Sequence, residues 1–295
     1  MFDYILYIAL LSSLKKDEVE SSTLSQFNFY FENDFFYHTD KYYTNSVKLE
    51  WLAEKNNIIY NFGIVQDMYT PKYHELSFVE YGDHPYTGRV EGNFGASIIE
   101  YGSMLSLDVG IGYTGKYTYA EETMDIIHSL LPSNPTVLGW EYQTPTRALG
   151  RISISQKERF IIRDGYSDFI SNIGANFSNF QSNIYAGYQW RVGWNLPNDF
   201  GLYSNLSKSI NYQDRTNRLN AYAMVGLQAE YIDNDLAIDD PSTPQHHQVG
   251  TLTTGFSLVY HEFSASMLFN KETKRFHSQD SKYFEFVTIL IGYRF

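Results

Sequence analysis

Apolar and polar residues alternate along much of this chain with a period of two. Successive side chains of a β-strand point to opposite faces, so a segment that alternates in this way has one apolar and one polar surface. The pattern therefore predicts a protein built mainly of β-strands. The clearest segments are MLSLDVGIGYTG at 104–115, NIYAGYQWRVGWNL at 183–196, LNAYAMVGLQAEY at 219–231 and FEFVTILIGYRF at 284–295.

The length of these segments distinguishes two fold classes that share the alternation. A tilted strand that crosses a membrane needs about 9–11 residues, whereas strands of soluble sheets usually have about 5–6. The segments here have the longer, membrane-crossing length. Aromatic residues also lie near segment ends on the apolar parity, as in the interfacial girdles of membrane barrels. We therefore predict an all-β, closed antiparallel transmembrane β-barrel rather than a soluble sandwich.

About twelve such segments can be counted, and an even number suits a closed bacterial barrel with both termini on the periplasmic side. The short links at 55–57, at 101–103 and across His261 and Glu262 are predicted to be periplasmic turns. The segments are 25–34, 43–54, 58–69, 87–101, 104–115, 147–157, 159–173, 181–196, 219–232, 249–260, 263–271 and 284–295.

The long connections then lie on the outer side of the membrane. They are residues 70–86, 116–146 and 233–248. The stretch 199–218 lies on the periplasmic side but is too long for a simple hairpin. We predict that it folds back toward the lumen.

Composition supports a barrel and excludes other classes. The chain has 295 residues with 26 Tyr and 21 Phe, yet its mean hydropathy is −0.36. No stretch reaches the ~18 consecutive apolar residues of a membrane-spanning helix, which excludes a helical membrane bundle. The net charge of −12, with few and scattered basic residues, argues against a nucleic-acid partner. The absence of cysteine is compatible with export through an oxidising compartment.

The chain begins with MFDYILYIALLSSLKK, which contains an apolar run of signal-peptide length. It lacks the basic start and the small-residue cleavage site of a typical secretory signal. We interpret residues 1–20 as an export leader, with an N-terminal helix or tail as the alternative. Residues 21–295 are predicted to form a single outer-membrane barrel domain.

Polar residues lie at the adjoining ends of the first two predicted strands. Asp34 continues the polar parity of the first strand, and Thr44 begins that of the second. Both are therefore predicted to point into the lumen at the outer mouth of the barrel. Asn33, where the first strand ends, is expected to bend inward beside them.

The outer connection 116–146 contains a different periodicity. In EETMDIIHSLL, Met124, Ile127, His128 and Leu131 recur at i, i+3, i+4 and i+7, as in an amphipathic helix that ends before Pro132. We predict a short helix that caps the outer rim with His128 on its inward stripe. His128 can be a packing residue or a general base, because imidazole titrates near neutral pH.

Four sequence blocks resemble a known family. In chain order they are FENDFFYHTDKYYTNSVKLEW, QDMYTP, GDHPYTG and IIHSLLPSNPTVLGWEYQ. Their order and approximate spacing resemble the outer-membrane lipid A 3′-O-deacylase (LpxR-like) family from about residue 25 to the final strand. The resemblance implies a twelve-stranded barrel that removes the 3′-linked acyl chain of lipid A in the outer leaflet. It also implies calcium dependence and a histidine that activates water.

The resemblance assigns roles to four residues. His128 matches the catalytic histidine of the family, Asn33 and Asp34 match its asparagine–aspartate pair, and Thr44 matches the threonine of its YT block. Asp34 would then orient the imidazole or hold Ca²⁺, with Asn33 and Thr44 as further oxygen donors, since calcium prefers oxygen ligands.

The chain departs from the family pattern at some positions. Met124 stands where members typically have glutamine, and Asn134 lies roughly where some have glutamate. A lysine in the second outer loop of characterised members has Lys72 as its candidate here. The implied partners are lipid A or lipopolysaccharide and the outer membrane, and a monomer is expected.

Other functions remain open at this point. A catalytically silent structural barrel or a narrow pore would need the same alternation. A phospholipase-like barrel is a further alternative, although the sequence has no G-x-S-x-G motif for a serine nucleophile.

Overall fold

The strands form one closed antiparallel barrel, as predicted. Each strand pairs with its neighbours in the chain, and the first pairs with the last. The computed structural model describes residues 24–34, 41–73, 76, 78–81, 83–130, 137–205, 209–212, 216–238 and 243–295. The expected leader at 1–20 lies outside these residues. The twelve strands are β1 (Leu24–Asn33), β2 (Tyr42–Lys55), β3 (Ile58–Thr70), β4 (Thr87–Glu100), β5 (Ser103–Thr114), β6 (Ala148–Arg163), β7 (Ser167–Ser178), β8 (Gln181–Trp194), β9 (Thr216–Asp235), β10 (Gln248–His261), β11 (Phe263–Thr273) and β12 (Tyr283–Arg294).

Tight turns join the strands at one end of the barrel. Asn56 and Asn57 have φ values of 53° and 62°, and Tyr101 and Gly102 have 48° and 79°. Positive φ at both central residues is what two-residue hairpins require, because the twist of such a turn matches that of the strands. The predicted turns at these positions are therefore confirmed. The connections between β3 and β4, between β5 and β6 and between β9 and β10 lie at the opposite end, which we call the outer end.

The boundary between β6 and β7 differs from the prediction. The sequence placed the break after residue 157, but β6 continues to Arg163 and the turn is at 164–166. Three consecutive exposed apolar residues at 160–162 interrupt the alternation and obscure the strand. The Asp164–Gly165 pair, with Gly165 at φ 70°, is the local signal for the true turn.

The two faces of the barrel wall have opposite character. Outward side chains such as Phe62, Phe94 and Ile111 are exposed by 56%, 56% and 76%. Inward side chains include many charged groups, which pair with one another because an unpaired buried charge is costly. Arg151, for example, donates to Glu91 at 2.8 Å and to Asp108 at 2.5 Å. Apolar side chains on the outer face and polar side chains in the lumen are the arrangement of a transmembrane barrel.

The connection between β8 and β9 folds into the lumen, which confirms the prediction for this stretch. The backbone N–H of Asn205 donates to the Glu32 carboxylate at 2.8 Å, and its side chain donates to Ser46 at 3.1 Å. The ammonium group of Lys157 donates to the carbonyl of Ile210 at 3.1 Å. We call the described residues of this connection, 195–205 and 209–212, the lumen segment. It occupies the interior and reaches the outer half of the first two strands.

The connection between β5 and β6 contains the predicted helix, α1 (Ala120–Leu130), preceded by a 3₁₀ turn at Lys116–Thr118. Within the described residues, no helix is long and apolar enough to cross a membrane. The helix belongs to the outer end, where it bears on the candidate site.

Removing Arg191 is expected to destabilise the barrel by roughly 3–5 kcal/mol, because it leaves the buried carboxylate of Asp199 without its ion-pair partner, whereas Asp168 keeps Arg159. Arg191 is fully buried, and its guanidinium holds Asp168 at 2.7 and 2.9 Å and also Asp199, at the start of the lumen segment. The measurement is the temperature at which the folded band of Arg191→Ala disappears in unheated detergent electrophoresis. The exposed Lys55→Ala variant is the control and should match the wild type. Equal transition temperatures for all three proteins would show that the ion pairs do not hold the lumen segment.

Candidate functional site

A β-bulge at the outer end of β2 changes the direction of its side chains. The register between β2 and β3 shifts between Tyr43 and Asn45, so that Thr44 is the extra residue. A bulge of this kind interrupts the alternation of inward and outward side chains. The hydroxyl of Thr44 lies 2.7 Å from that of Thr70, which alternation places on the outward face. Thr44 therefore does not point into the lumen as its spacing predicted.

Four residues on adjacent strands form an outward-facing row near the outer end. Asn33 is opposite Asn45, Asn45 is opposite Met68, and Met68 is opposite Gly88. We call these four residues the outer row. Asn33 therefore has outward parity, although the sequence predicted that it would bend inward. Six residues from each member of the outer row, toward the opposite end of its strand, lies an exposed aromatic residue of the same parity. These residues are Phe27, Trp51, Phe62 and Phe94.

Helix α1 packs on this outward face. A Cβ atom added to Gly88 would lie 2.7 Å from the Cβ atom of Ala120, so the helix begins directly over β4. The outward side chain of Gln66 on β3 donates to the carbonyl of Thr118 at 2.6 Å. The helix therefore lies against the outside of the wall, whereas the sequence predicted that it would cap the outer rim with His128 on its inward stripe. The buried cluster beneath it contains Met68, Tyr86, Ala120, Met124, Val137 and Trp140.

Three of the predicted site residues come together at the hairpin between β1 and β2. The side-chain amide of Asn33 donates to the carbonyl of Thr44 at 3.1 Å, and the backbone N–H of Asp34 lies 3.4 Å from the same oxygen. The carboxylate of Asp34 accepts a hydrogen bond from the backbone N–H of Lys41 at 2.8 Å. All three predicted residues are buried. The hairpin thus fixes an oxygen-rich group at the end of the outer row.

The fourth predicted residue, His128, lies on α1 one turn beyond Met124 and is half-buried. Met124 is almost completely buried in the cluster under the helix, so it serves packing at the position where glutamine was expected. Asn134, the other departure from the family pattern, lies outside the described residues.

Asp280 connects three outer loops through ion pairs and a hydrogen bond. The ammonium groups of Lys41 and Lys72 lie 3.0 and 3.3 Å from its carboxylate, and the hydroxyl of Tyr42 donates to it at 2.9 Å. Partial burial disfavours the charged form, but hydrogen bonds from Lys41 and Tyr42 outweigh it and hold the pKa of Asp280 well below its usual value. Lys72, the candidate for the family lysine, is therefore paired with a carboxylate within the loops.

His84 in the β3–β4 connection is buried among aromatic rings. It stacks on Tyr69 with the ring centroids 5.5 Å apart, and it also contacts Tyr42 and Phe276. Burial lowers the pKa of His84 to about 4, so the imidazole is neutral at pH 7. We interpret this histidine as part of the packing that holds the loop.

Sequence reasoning missed Asn45, which occupies the outer row between Asn33 and Met68 and is fully buried. Its position directly after Thr44 in YTNS was the available signal. The bulge that turns Thr44 away from the lumen has no clear mark in the sequence, whereas Asn45 has the same outward parity as Leu49 and Trp51. Trp140 is buried, and its ring centroid lies 5.0 Å from that of Tyr86.

The closed barrel, its apolar outer face and its polar site at the outer end define an outer-membrane β-barrel protein. The family model of outer membrane protein LpxR matches residues 5–295, and the chain belongs to this family. LpxR from Salmonella typhimurium has a similar structure, with a TM-score of 0.79 and 15% sequence identity over 92% of this chain and 99% of that one.

Other outer-membrane barrels are more distant. The β domain of the Bordetella autotransporter BrkA has a TM-score of 0.45 and 8% identity, covering 94% of this chain and 99% of its own. The translocator domain of NalP from Neisseria meningitidis has a TM-score of 0.43 and 6% identity, covering 99% and 94%. No curated protein sequence matches this chain.

Lowering the pH from 7 to 5 is expected to loosen the loop around His84. Its pKa in the folded loop, about 4, is below the ordinary value of 6.5, so the stability that it contributes is complete above pH 6.5 and is lost as the pH falls toward 4. At pH 5 the loss is on the order of 2 kcal/mol. Hydrogen exchange of the backbone amides of Asp83, His84 and Tyr86, corrected for intrinsic rates, measures it.

His84→Phe, which keeps an aromatic ring without a titrating group, is the control and should show no such change between pH 7 and pH 5. The same acceleration in both proteins would contradict the assignment to His84.

Proposed function

We propose that this protein is a lipid A deacylase that hydrolyses the 3′-linked acyl ester, with His128 as the general base. The observation that carries the proposal is the outer row beneath α1. Its polar residues lie on the wall that faces the bilayer, not in the lumen. A membrane lipid can reach such a site from the outer leaflet without entering the barrel.

The depth of the outer row supports this substrate class. The exposed aromatic row, Phe27 to Phe94, lies six residues from the outer row on each strand. Six residues of a strand span roughly 20 Å, which is roughly 15 Å along the axis of a barrel whose strands tilt by about 40°. The apolar band of such barrels is about 25 Å tall. If the aromatic row marks the periplasmic interface, the outer row lies at the level of the outer leaflet, where acyl esters of a glycolipid are located.

The course of α1 supports the role of His128. The helix begins over β4 at Ala120 and also contacts β3. One helical turn advances about 5.4 Å and adjacent strands lie about 4.8 Å apart, so each turn can cross about one strand. A helix that continues in this direction brings His128, two turns after Ala120, over β2, where Thr44 and Asn45 lie.

The proposed reaction is hydrolysis with a balanced proton transfer. Nε2 or Nδ1 of His128 takes a proton from water as the water oxygen attacks the acyl carbonyl carbon. The tetrahedral intermediate collapses, the bond between the carbonyl carbon and the sugar oxygen breaks, and the imidazolium returns the proton to that oxygen. The products are a fatty acid and a free 3′-hydroxyl. Asp34 is the carboxylate that would orient the imidazole or hold a cation.

The donor set at the hairpin fits Ca²⁺. Asn33, Asp34 and Thr44 offer amide, carboxylate, hydroxyl and carbonyl oxygens, which are the ligands that calcium prefers. Over the described ranges, no three His, Asp or Glu side chains cluster as a metal site, and Asp34 is the charged ligand of the proposed set. When bound, it would supply positive charge to polarise the ester carbonyl. With few charged ligands, we expect weak binding, about 10⁻⁴ to 10⁻³ M.

The interior of the barrel does not favour the pore alternative. The lumen segment forms hydrogen bonds with β1, β2, β6 and β8. Many of its residues are buried, among them Phe200, Leu202 and Ile210. A lumen filled in this way leaves little room for the passage of solutes.

His128→Ala is expected to abolish removal of the 3′-acyl chain, with a rate loss of about 10²–10⁴-fold, because a general base is lost. The measurement is mass spectrometry of lipid A from cells that express each variant at equal folded amount. Glu122→Gln, an exposed change on the same helix, is the control and should behave as wild type. Intact lipid A in cells with the folded wild type, under calcium-replete conditions, would contradict the proposed activity. Full activity of His128→Ala would contradict the role of this residue.

Calcium removal is expected to stop the reaction reversibly. Purified protein treated with a chelator should lose activity and regain it with millimolar Ca²⁺. Binding is measured separately by calorimetry in detergent, where Asp34→Asn should weaken Ca²⁺ affinity about tenfold or more because a charged ligand is lost. The exposed Asp125→Asn on α1 is the control. Unchanged activity in chelator, with equal Ca²⁺ binding by wild type and Asp34→Asn, would refute a calcium site here.

A further inference from the structure

Asn45 is a buried amide without a protein partner. Its relative exposure is 0%, and among the described residues neither its Oδ1 nor its Nδ2 has a hydrogen-bond partner. Leaving such a group unpaired costs about 1–3 kcal/mol, and native proteins rarely retain it without a reason. The position of Asn45 in the outer row, within the candidate site, indicates that the missing partner belongs to a ligand.

The neighbours of Asn45 define where its side chain lies. Asn33 flanks it on β1, and Met68 flanks it on β3 in the cluster under α1. Ser46, the next residue along β2, bonds with the lumen segment, so Asn45 has the opposite, outward direction. Its amide is therefore buried on the bilayer side of the wall, next to the place where the helix covers β3.

A second buried donor borders the same place. Nε1 of Trp140 has no hydrogen-bond partner among the described residues, and Trp140 is 1% exposed. Its ring packs in the cluster that contains Met68, the direct neighbour of Asn45. Nδ2 of Asn45 and Nε1 of Trp140 are thus two unpartnered N–H donors close to Met68, and an oxygen that carries negative charge can accept from them because N–H dipoles attract anions.

A comparison with Asn172 shows that a buried side-chain amide without a partner does not by itself indicate a ligand site. It too is buried and has neither amide atom paired among the described residues. However, it lines a lumen cavity together with Gln189, Gln228 and Glu230, where water can satisfy a polar group. Asn45 instead lies beside the apolar cluster under α1, which offers water few partners.

We propose that Asn45 is a catalytic residue of the outer row: its Nδ2 donates a hydrogen bond to the carbonyl oxygen of the acyl ester. As water adds to the carbonyl carbon, this oxygen becomes an oxyanion, and a preorganised donor in a site sheltered from water stabilises it more than the ground state. The inference rests on the proposed deacylase function.

Asn45→Asp and Asn45→Ala test the donor. Asparagine and aspartate have the same shape, but aspartate lacks the N–H group. Removing one donor of this kind lowers kcat by about 10²–10³-fold. We expect this loss in both variants, with KM changed by less than about threefold because the interaction forms mainly in the transition state. Kinetics are measured on purified lipid A in detergent micelles at saturating Ca²⁺.

Asn172→Ala is the matched control, since it removes an equally buried and unpaired amide from the lumen side. It should retain the kcat of the wild type. Folding of every variant is checked by heat-modifiable electrophoresis, and if Asn45→Ala does not fold, the isosteric Asn45→Asp decides the test.

The outcomes distinguish failure of the proposed deacylase function from failure of the role proposed for Asn45. An inactive wild type under calcium-replete conditions would refute the proposed function itself. An active wild type together with Asn45 variants of unchanged kcat would overturn only the role of Asn45. Asn45→Asp with retained kcat and tighter calorimetric Ca²⁺ binding would identify Asn45 as a cation ligand and would also overturn the donor assignment.

Discussion

The closure of the sheet is the constraint on which the rest of this structure depends. Lipid offers no hydrogen-bond partners, so a spanning sheet must pair every backbone group and can leave no free edge. The pairing of β1 with β12 meets this requirement. Once the sheet is closed, alternation assigns every side chain either to the bilayer or to the lumen. A polar residue on the outward face is then unfavourable unless another part of the protein shields it from the lipid.

The lumen and the outer row meet this demand in different ways. Inside, charged residues pair with one another, and the lumen segment fills the space from the periplasmic side as far as Glu32 and Ser46. Outside, α1 and its apolar cluster cover the row at Met68 and Gly88. Glu32 and Ser46 directly precede and follow residues of the site in the chain. The packed interior therefore supports, from the lumen side, the hairpin that carries Asn33 and Asn45.

Much of this architecture could be predicted because its signals are local. Alternation and turn residues located the strands, and the helical spacing around His128 located α1. The side of the wall on which α1 packs was not predictable, since it depends on Gly88 and Met68, which come from two other strands.

The bulge at Thr44 could not be predicted from the sequence for a similar reason. It is defined by how β2 pairs with β3, and a one-residue shift reverses which face a side chain occupies. Asn45 has the outward parity of Leu49 and Trp51, so alternation placed it correctly, but no sequence motif singled it out. The three apolar residues at 160–162 hid the end of β6, although the Asp164–Gly165 turn signal was present. The family resemblance supplied the roles of His128, Asn33 and Asp34, which no periodicity could have given.

The central claim is that α1 brings residue 128 over the outward face of β2. The chain has no cysteine, so pairs of introduced cysteines can be cross-linked without background. In intact outer membranes, a short bismaleimide should join the pair His128→Cys and Asn45→Cys. It should fail to join His128→Cys and Ser46→Cys, because Ser46 is the neighbouring residue that faces the lumen. Efficient cross-linking through position 46, and none through position 45, would contradict the account.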